Sequence, residues 1–254
     1  RAREVLSKLI AIAIEPAFLE MNKVAWDKFV SGANVLDASE YVGIFADYIS
    51  EHVPTFRKYI MSTDAFKSDV FENTVGPNYF QIICDTILAY FTRRFEAALK
   101  ACRRISEAGA QQLVTDLAQF KKILESLPTL QAEEEAASGE EYVRRAPVST
   151  TAPAAYLKKV KREVESIEKM LKVIWTPSDM LVDTYKALLP NHKVDNFVAI
   201  MQLKGIPYAE QHALLDAFGT SREDPVRDLL SRDWVNSSKN ALDATKESLK
   251  NTFA

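Results

Sequence analysis

The side chains that most often carry enzymatic or metal chemistry are sparse in this sequence. Its three histidines are His52, His192 and His212, and none has a second His or Cys three or four positions away, where one helix face could hold a metal ion. Glycine-rich nucleotide loops, paired-cysteine motifs and nucleophile elbows are all missing from the sequence. We therefore predict a protein that is not an enzyme and needs no cofactor or metal ion. An enzyme whose site is assembled from distant residues is the least favoured alternative.

The two cysteines indicate free thiols rather than a disulfide. Cys84 and Cys102 lie 18 residues apart on what is predicted to be one helix. At about 1.5 Å of rise per residue, that separation is roughly 27 Å. A disulfide requires Cα atoms within about 7 Å of each other. Two reduced thiols in a core fit a cytosolic protein.

Basic residues are the second group with possible chemistry. Arginine and lysine side chains on a solvated helix face are the plainer interpretation, and docking to anionic lipid headgroups or to an acidic partner is the sharper one. Each Lys or Arg near such a membrane contributes about 1 kcal/mol. A first cluster is predicted on the solvent side of a long helix and comprises Arg93, Arg94, Lys100, Arg103 and Arg104.

A second set of residues is our candidate surface for a partner or a membrane. It runs from a Pro/Ser/Thr-rich stretch into the C-terminal third of the chain. Several of its members are not needed by an amphipathic helix pattern, although Gly205 can serve simply to end a helix. The candidate surface consists of Arg144, Arg145, Lys158, Lys161, Lys172, Lys204 and Gly205.

Composition favours helices to position these residues. Only 7 of 254 residues are glycine, where average usage of about 7% would give roughly 18. Hairpins and phosphate loops consume glycine, so its scarcity points to helices joined by short loops. With 32 basic and 35 acidic residues the net charge is −3, which argues against a protein that binds nucleic acid through phosphates.

Apolar residues recur at steps of three and four in several segments, as on one face of a helix. The first stripe runs from Phe80 to Ile105 and the second from Ala110 to Leu127, with Ser106 as a predicted N-cap between them. Two such helices joined at Ser106 would form an antiparallel αα-hairpin. A third stripe runs from Tyr156 to Ile174. We expect Phe91, Leu117, Leu124 and Leu171 to be buried.

Further helices are predicted on either side of these stripes. Before the first stripe we predict helices at 3–31, at 38–52 and from Pro54 towards Phe71. Towards the C-terminus, helices are expected at 177–189, at 194–203 ending in Lys204 and Gly205, at 207–218, and from Asp224 onwards. The fold class is therefore all-α, with two consecutive antiparallel helical bundles.

The stretch 129–152 is not periodic and combines an acidic insert at 133–141 with Arg, Pro, Ser and Thr residues. We interpret it as a solvated linker. The predicted domains are a first bundle at 1–128, the linker at 129–152, and a second bundle at 153–254 with a tail after 221. The longest apolar run, Leu9 to Ile14, is too short for a membrane span. Because Arg1 opens inside a helical pattern, we expect the chain to be an excised fragment.

Five stretches, taken in order, resemble one protein family. They include SEAGAQQL in 106–128, VRRAP at 143–147 and IEKMLKVIWTP at 167–177, followed by 197–205 and 210–215. The chain resembles the C-terminal part of the vacuolar protein sorting-associated protein 53 family, whose members are subunits of the Golgi-associated retrograde protein (GARP) complex and of the related endosomal recycling tether. The similarity is good over 106–218, weaker over 3–105 and absent after 221, and the insert 133–141 departs from the family pattern.

The resemblance implies a function that composition and spacing do not. Its implied architecture is a rod of consecutive helical bundles, as in exocyst and conserved oligomeric Golgi tethers. Its implied role is that of a non-catalytic scaffold subunit that captures endosome-derived vesicles at the trans-Golgi network and assists SNARE-mediated fusion. The expected partners are other tether subunits, with SNAREs, small GTPases and peripheral membrane contact possible, and no nucleic acid. The expected location is cytoplasmic, on trans-Golgi network and endosome membranes. The alternative is a helical adaptor module without a membrane role.

Overall fold

The described part of the chain is built from α-helices. A computed structural model describes residues 2–29, 37–62, 75–130, 151–189, 191 and 193–219. In this part of the chain there is no strand, and more than half of all residues lie in α-helices, so the all-α prediction is confirmed. The eight described α-helices are α1 (Ala2–Lys23), α2 (Glu40–Ser62), α3 (Val75–Ala101), α4 (Glu107–Ser126), α5 (Ala154–Trp175), α6 (Leu181–Leu188), α7 (Val194–Lys204) and α8 (Tyr208–Phe218).

The chain divides into two compact units, each made of three segments. Unit 1 contains Arg1–Glu20, Ala38–Arg94 and Asp116–Glu165, and unit 2 contains the rest. The segments of unit 2 are Met21–Asp37, Phe95–Thr115 and Ser166–Ala254. Both units therefore take residues from either side of 129–152. The predicted domains 1–128 and 153–254 and the rod stay predictions, and 131–150 lies outside the described residues.

Unit 1 is centred on aromatic rings from four helices. Phe120 of α4 packs against Phe91 of α3 and Phe45 of α2, with ring centroids 4.9 Å and 5.0 Å away. Phe18 of α1 reaches Phe91 at 5.9 Å, and Tyr41 reaches Phe120 at 5.8 Å. Such pairs contribute about 0.5–1.5 kcal/mol beyond the burial of their area. Aromatic contacts thus connect all four helices.

Unit 2 has a separate aromatic cluster near the end of the described chain. Tyr185 of α6 packs against Phe197 of α7 at 5.0 Å, and Phe218 of α8 stacks on Phe197 at 4.9 Å. Gly205 and Gly219 end α7 and α8 in the left-handed conformation, with φ of 68° and 95°. Both predicted glycine ends are therefore confirmed.

The predicted stripes form buried faces of single helices. Phe91, Leu117, Leu124 and Leu171 are at most 1% exposed, so the predicted core residues are confirmed. The stripes themselves are also buried throughout, with these members on α3, α4 and α5 and in the turns that follow them: Phe80, Cys84, Ile87, Phe95, Ala98, Cys102, Ile105, Ala110, Leu113, Phe120, Leu127, Tyr156, Val160, Val164, Ile167 and Ile174.

The helix break that the sequence predicts at Pro54 is wrong, because two helices continue through a proline. The sequence predicts a break at Pro54, but α2 runs without interruption from Glu40 to Ser62. A proline removes the hydrogen bond to the carbonyl four residues earlier, and here that residue, Ser50, is exposed to water. Pro16 lies inside α1 in the same way, since Ile12 is exposed. Helix α1 also ends at Lys23 rather than at residue 31, because the chain turns to bury Trp26, whose Nε1 donates to Met21 O at 3.1 Å.

The start of α6 also differs from the prediction. Residues 176–179 resemble a capping box with Thr176 as the cap, yet α6 begins at Leu181 after a short 3-10 turn at Ser178–Met180. Pro177 is extended, with ψ of 152°, and Thr176 Oγ1 donates back to Lys172 O instead of capping the following turn. The helix predicted from Asp224 onwards lies outside the described residues, as does 63–71.

Both cysteines are free and buried, as predicted. Burial raises the pKa of each thiol, Cys84 and Cys102, to about 12.

We expect a thiol reagent at pH 8 to modify neither cysteine in the folded chain and both in urea, because only the thiolate reacts. Each raised pKa contributes stability that is fully present below pH 9 and is lost as the pH rises towards 12. A Cys84→Ala/Cys102→Ala variant should show a shallower alkaline loss of stability, and fast modification of the native thiols would contradict their burial.

Candidate interaction surface

The most buried acidic side chain in the described part of unit 1 is a capping group. Asp116 of α4 is fully buried. Its carboxylate accepts from Ser39 N at 2.9 Å, from Ser39 Oγ at 2.8 Å and from Tyr41 OH at 2.6 Å. Ser39 immediately precedes α2, so Asp116 satisfies an N–H that the first turn of α2 would otherwise leave without a partner. This carboxylate has a structural role.

Arg94 was predicted on the solvent side of its helix, and that prediction is wrong. Its side chain is 8% exposed and its guanidinium contacts Glu15 of α1 through two hydrogen bonds, Nε to Oε2 at 2.7 Å and Nη2 to Oε1 at 2.5 Å. It also lies over the Phe18 ring, 5.4 Å from the centroid. Burial and the Glu15 charge raise the pKa of the neighbouring Tyr90 to about 12. The first basic cluster therefore loses a member to the core of unit 1.

In unit 2, the turn before α4 is tied to the segment after α1. Ser106 is the predicted N-cap, and its Oγ accepts from Gly109 N at 3.0 Å. The same Oγ donates to Trp26 O at 2.9 Å. A side chain at Gly109 would place its Cβ only 2.4 Å from Trp26 O. Glycine is therefore required there by close backbone approach rather than by an unusual φ angle.

Lys204 is half-buried and holds the end of α5. Its Nζ donates to Ile174 O at 2.7 Å and to Thr176 O at 2.8 Å. Burial lowers the pKa of this ammonium group, although the charges of Glu107 and Glu210 oppose that change. A lysine that satisfies carbonyl oxygens at a helix C-terminus is a cap. The ammonium group of Lys204 is therefore committed to the fold of unit 2.

Gly205 follows directly and ends α7. A Cβ at this position would lie 2.7 Å from the side chain of Arg104. The adjacent backbone is bridged by Ile105 N, which donates to Leu203 O at 2.7 Å. Gly205 thus lets α7 approach the α3–α4 turn, and two of the seven predicted surface residues, Lys204 and Gly205, have structural roles.

The ends of four helices meet in unit 1, and we call this region the basic end. It comprises 57–59 of α2, 79–85 of α3, 121–130 at the end of α4 and 156–163 of α5. Arg57 Nη1 donates to Leu130 O at 2.9 Å, and its guanidinium lies over the Phe80 ring at 5.5 Å. Tyr156 OH donates to Leu124 O at 2.9 Å, and Lys159 Nζ lies 3.1 Å from Asp85 Oδ1. These contacts connect all four helix ends.

Charge at the basic end is strongly one-sided. Its four ranges contain eight basic and three acidic residues, although the whole chain is slightly acidic. Each acid is paired with a basic residue of the same region, as in the pairs Lys159–Asp85, Lys121–Glu125 and Arg162–Glu163. Positive charge therefore remains in excess, and these basic residues are exposed: Lys58, Lys122, Lys158, Lys161 and Arg162.

Large apolar side chains are exposed in the same region. Tyr59 is 69% exposed, Tyr79 50% and Ile82 42%. Tyr79 and Ile82 are three residues apart on α3 and so lie on one face of that helix. The basic end therefore presents both positive charge and apolar side chains to solvent.

The structure separates the seven residues of the predicted surface. Lys158 and Lys161 are exposed at the basic end of unit 1, and Lys172 is exposed in unit 2, where its Nζ lies 2.7 Å from Glu168 Oε1. Arg144 and Arg145 lie outside the described residues. Sequence reasoning missed Lys58, Lys122, Tyr59 and Tyr79. The sequence did contain a signal, because Lys58 is followed directly by Tyr59 and Lys122 directly follows Lys121, each close to the end of a helix.

The described histidines pack on tyrosines instead of gathering ligands. His52 lies inside α2 against Tyr48 at 4.4 Å, and His212 lies inside α8 against Tyr208 at 4.5 Å. The sequence pattern predicts each histidine near a helix end, and that prediction is wrong for these two, while His192 lies outside the described residues. In the part of the chain that the structure describes, no group of three His, Cys, Asp or Glu could hold a metal ion. No described helix has the length and apolarity needed to cross a bilayer.

These features define an all-α helical-bundle protein in which Asp116 and Lys204 hold helix ends and exposed positive charge is in excess at the basic end of unit 1. Residues 111–206 match the family model described as vacuolar protein sorting-associated protein 53 C-terminus. This segment therefore belongs to the C-terminal region of that family, and the predicted resemblance is confirmed.

Curated relatives extend the match beyond this segment. Vacuolar protein sorting-associated protein 53 A of Arabidopsis thaliana is 32% identical over 198 residues, covering 78% of this chain and 20% of the relative. The Caenorhabditis elegans homolog is 25% identical over 231 residues, covering 88% of this chain and 25% of that protein. This chain thus spans a fifth to a quarter of the length of these relatives. No solved structure is detectably similar to it.

Proposed function

We propose that this chain is a non-catalytic scaffold segment of a multisubunit vesicle tether. In this role it binds other tether subunits and positions a membrane-facing surface, and the complex captures endosome-derived vesicles at the trans-Golgi network before SNARE-mediated fusion. The protein would then lie in the cytoplasm, peripherally on trans-Golgi network and endosome membranes. SNAREs and small GTPases are further candidate partners.

The observation that carries the proposal is the match of 111–206 to the family's C-terminal region. The structure supports it in two ways. Its described helices present long buried stripes, as a rigid scaffold requires, and its most buried charged groups, Asp116 and the Glu15–Arg94 pair, are used to fix helices.

The proposal predicts assembly and sorting together. Affinity capture of the full-length protein that contains this chain should retain the other tether subunits. Its depletion should misroute cargo that returns from endosomes to the Golgi. Retention of unrelated proteins, with normal sorting after depletion, would favour the alternative of a helical adaptor without a membrane role.

The untested part of the predicted surface can be examined in the same cells. Replacing Arg144, Arg145 and Lys172 by Glu should leave complex assembly intact and slow sorting. Lys204 must be left unchanged, since its loss would free two carbonyl groups at the end of α5 and confuse folding with function. The matched control is Lys28→Glu/Arg103→Glu/Lys193→Glu, which reverses three exposed charges of unit 2. Equal sorting by both variants would show that Arg144, Arg145 and Lys172 are not part of the surface that sorting requires.

A further inference from the structure

We propose that the basic end of unit 1 is a docking surface for an anionic phospholipid membrane. This inference rests on the proposed function and specifies which surface meets the vesicle and what chemistry it recognises. It is carried by three observations on the described residues: the gathering of four helix ends, the excess of positive charge and the exposed tyrosines.

The first observation makes the basic end one surface rather than scattered lysines. Arg57 ties α2 to the end of α4 and to Phe80 of α3, while Tyr156 and Lys159 tie α5 to α4 and α3. Tyr156 OH is buried, and burial raises its pKa, so this junction is anchored in the core. Basic residues distant in sequence are thereby held together as a group.

The second observation is the sign and type of the charge. Helix electrostatics does not account for these lysines, because the interaction with the helix dipole fades beyond the first and last turns. The last turn of α4 contains no basic residue, and Lys158 and Lys161 lie beyond the first turn of α5. Six of the eight basic residues are lysines, and protein–protein interfaces are depleted in lysine and enriched in arginine. A surface dominated by lysine is therefore better matched to lipid headgroups than to a protein partner.

The third observation concerns the apolar side chains among these lysines. Tyr59 and Tyr79 are at least half exposed. Tyrosine suits the boundary between headgroups and acyl chains, because its ring is apolar and its hydroxyl group stays hydrated. Ile82, on the same face of α3 as Tyr79, adds further apolar area. The basic end thus combines the two features of interfacial membrane binding, charge attraction and shallow apolar contact.

Vesicle flotation with the 254-residue chain tests the inference. The chain should bind phosphatidylcholine vesicles that contain phosphatidylserine, and it should not bind phosphatidylcholine alone. Binding should weaken as salt rises above physiological strength. Lys122→Glu/Lys158→Glu/Lys161→Glu should lower the partition coefficient by at least about a hundredfold, since loss of each lysine near an anionic surface costs about fivefold and the three added carboxylates are repelled by that surface. The control Lys28→Glu/Arg103→Glu/Lys193→Glu carries the same charge change in unit 2 and should bind nearly as well as the wild type.

A second variant separates insertion from attraction. A Tyr59→Trp probe should shift its fluorescence to the blue when phosphatidylserine vesicles are added, and a soluble acidic protein should not cause that shift. Lack of binding to anionic vesicles, or equal loss in both triple variants, would overturn the inference. Capture of an acidic protein without vesicle binding would also overturn it, in favour of a protein partner. These outcomes would leave the proposed tether function standing if full-length protein with Lys122→Glu/Lys158→Glu/Lys161→Glu still assembles and sorts normally. Failure of the wild-type protein to join the other tether subunits would instead contradict the tether function.

Discussion

Replacing Asp116 by Ala should lower the free energy of unfolding by roughly 3–5 kcal/mol. The carboxylate accepts three hydrogen bonds from Ser39 and Tyr41 in a fully buried position. Hydrogen bonds to charged groups contribute about 1.5–3 kcal/mol each, and donors left buried without a partner add a desolvation cost. Urea denaturation followed by circular dichroism measures the change.

Two further variants separate the hydrogen bonds from simple loss of volume. Asp116→Asn keeps one acceptor oxygen and should have an intermediate effect. Lys122→Ala, exposed on the same helix, should change the free energy of unfolding by no more than about 0.5 kcal/mol. If Asp116→Ala were as mild as Lys122→Ala, the carboxylate would not be holding the start of α2.

The second large effect concerns the pair of Glu15 and Arg94. Replacing Arg94 by Met should cost roughly 3–5 kcal/mol, because it leaves the largely buried Glu15 carboxylate without the guanidinium group. The double variant Glu15→Leu/Arg94→Met should recover most of that loss, since an apolar pair of similar volume avoids the desolvation of both charges. Urea midpoints of the two single variants and the double variant form a complete cycle.

This cycle also distinguishes stability from specificity. A double variant that is as unstable as Arg94→Met would show that the guanidinium acts through other contacts, such as its position over the Phe18 ring. Full recovery of the urea midpoint would show that the ion pair contributes little net free energy. In that case its effect is to select the register in which α1 packs on α3.

The predictability of the fold follows from how local each signal is. The stripes of α3, α4 and α5 were predictable because burial of one helix face imposes a period of 3.6 residues on a single segment. Gly205 and Gly219 were predictable for the same reason, since a helix end is a local event. The uninterrupted course of α2 through Pro54 was not, because the helix continues only if the carbonyl of Ser50 faces water, and tertiary packing decides that.

The candidate surface depended on long-range contacts and was only partly predictable. Lys158 and Lys161 were identified from local charge, whereas Lys58 and Lys122 were missed. They join the basic end only through the contacts of Arg57 and Tyr156 with α4. Lys204 looked like a surface charge in the sequence, and only the carbonyl groups of Ile174 and Thr176, about thirty residues earlier in the chain, reveal its capping role.

The composition of each unit from three separate segments constrains how the chain can fold during synthesis. Unit 1 needs residues from Arg1 to Glu165, and unit 2 already includes Met21–Asp37 but needs residues beyond Ser166. Neither unit can complete its packing until well over half of the chain has left the ribosome. Until then the apolar faces of the early helices lack their packing partners and stay exposed. Chaperones bind segments in this state, and aggregation competes with folding. For the same reason, no single cut in the chain yields either unit intact.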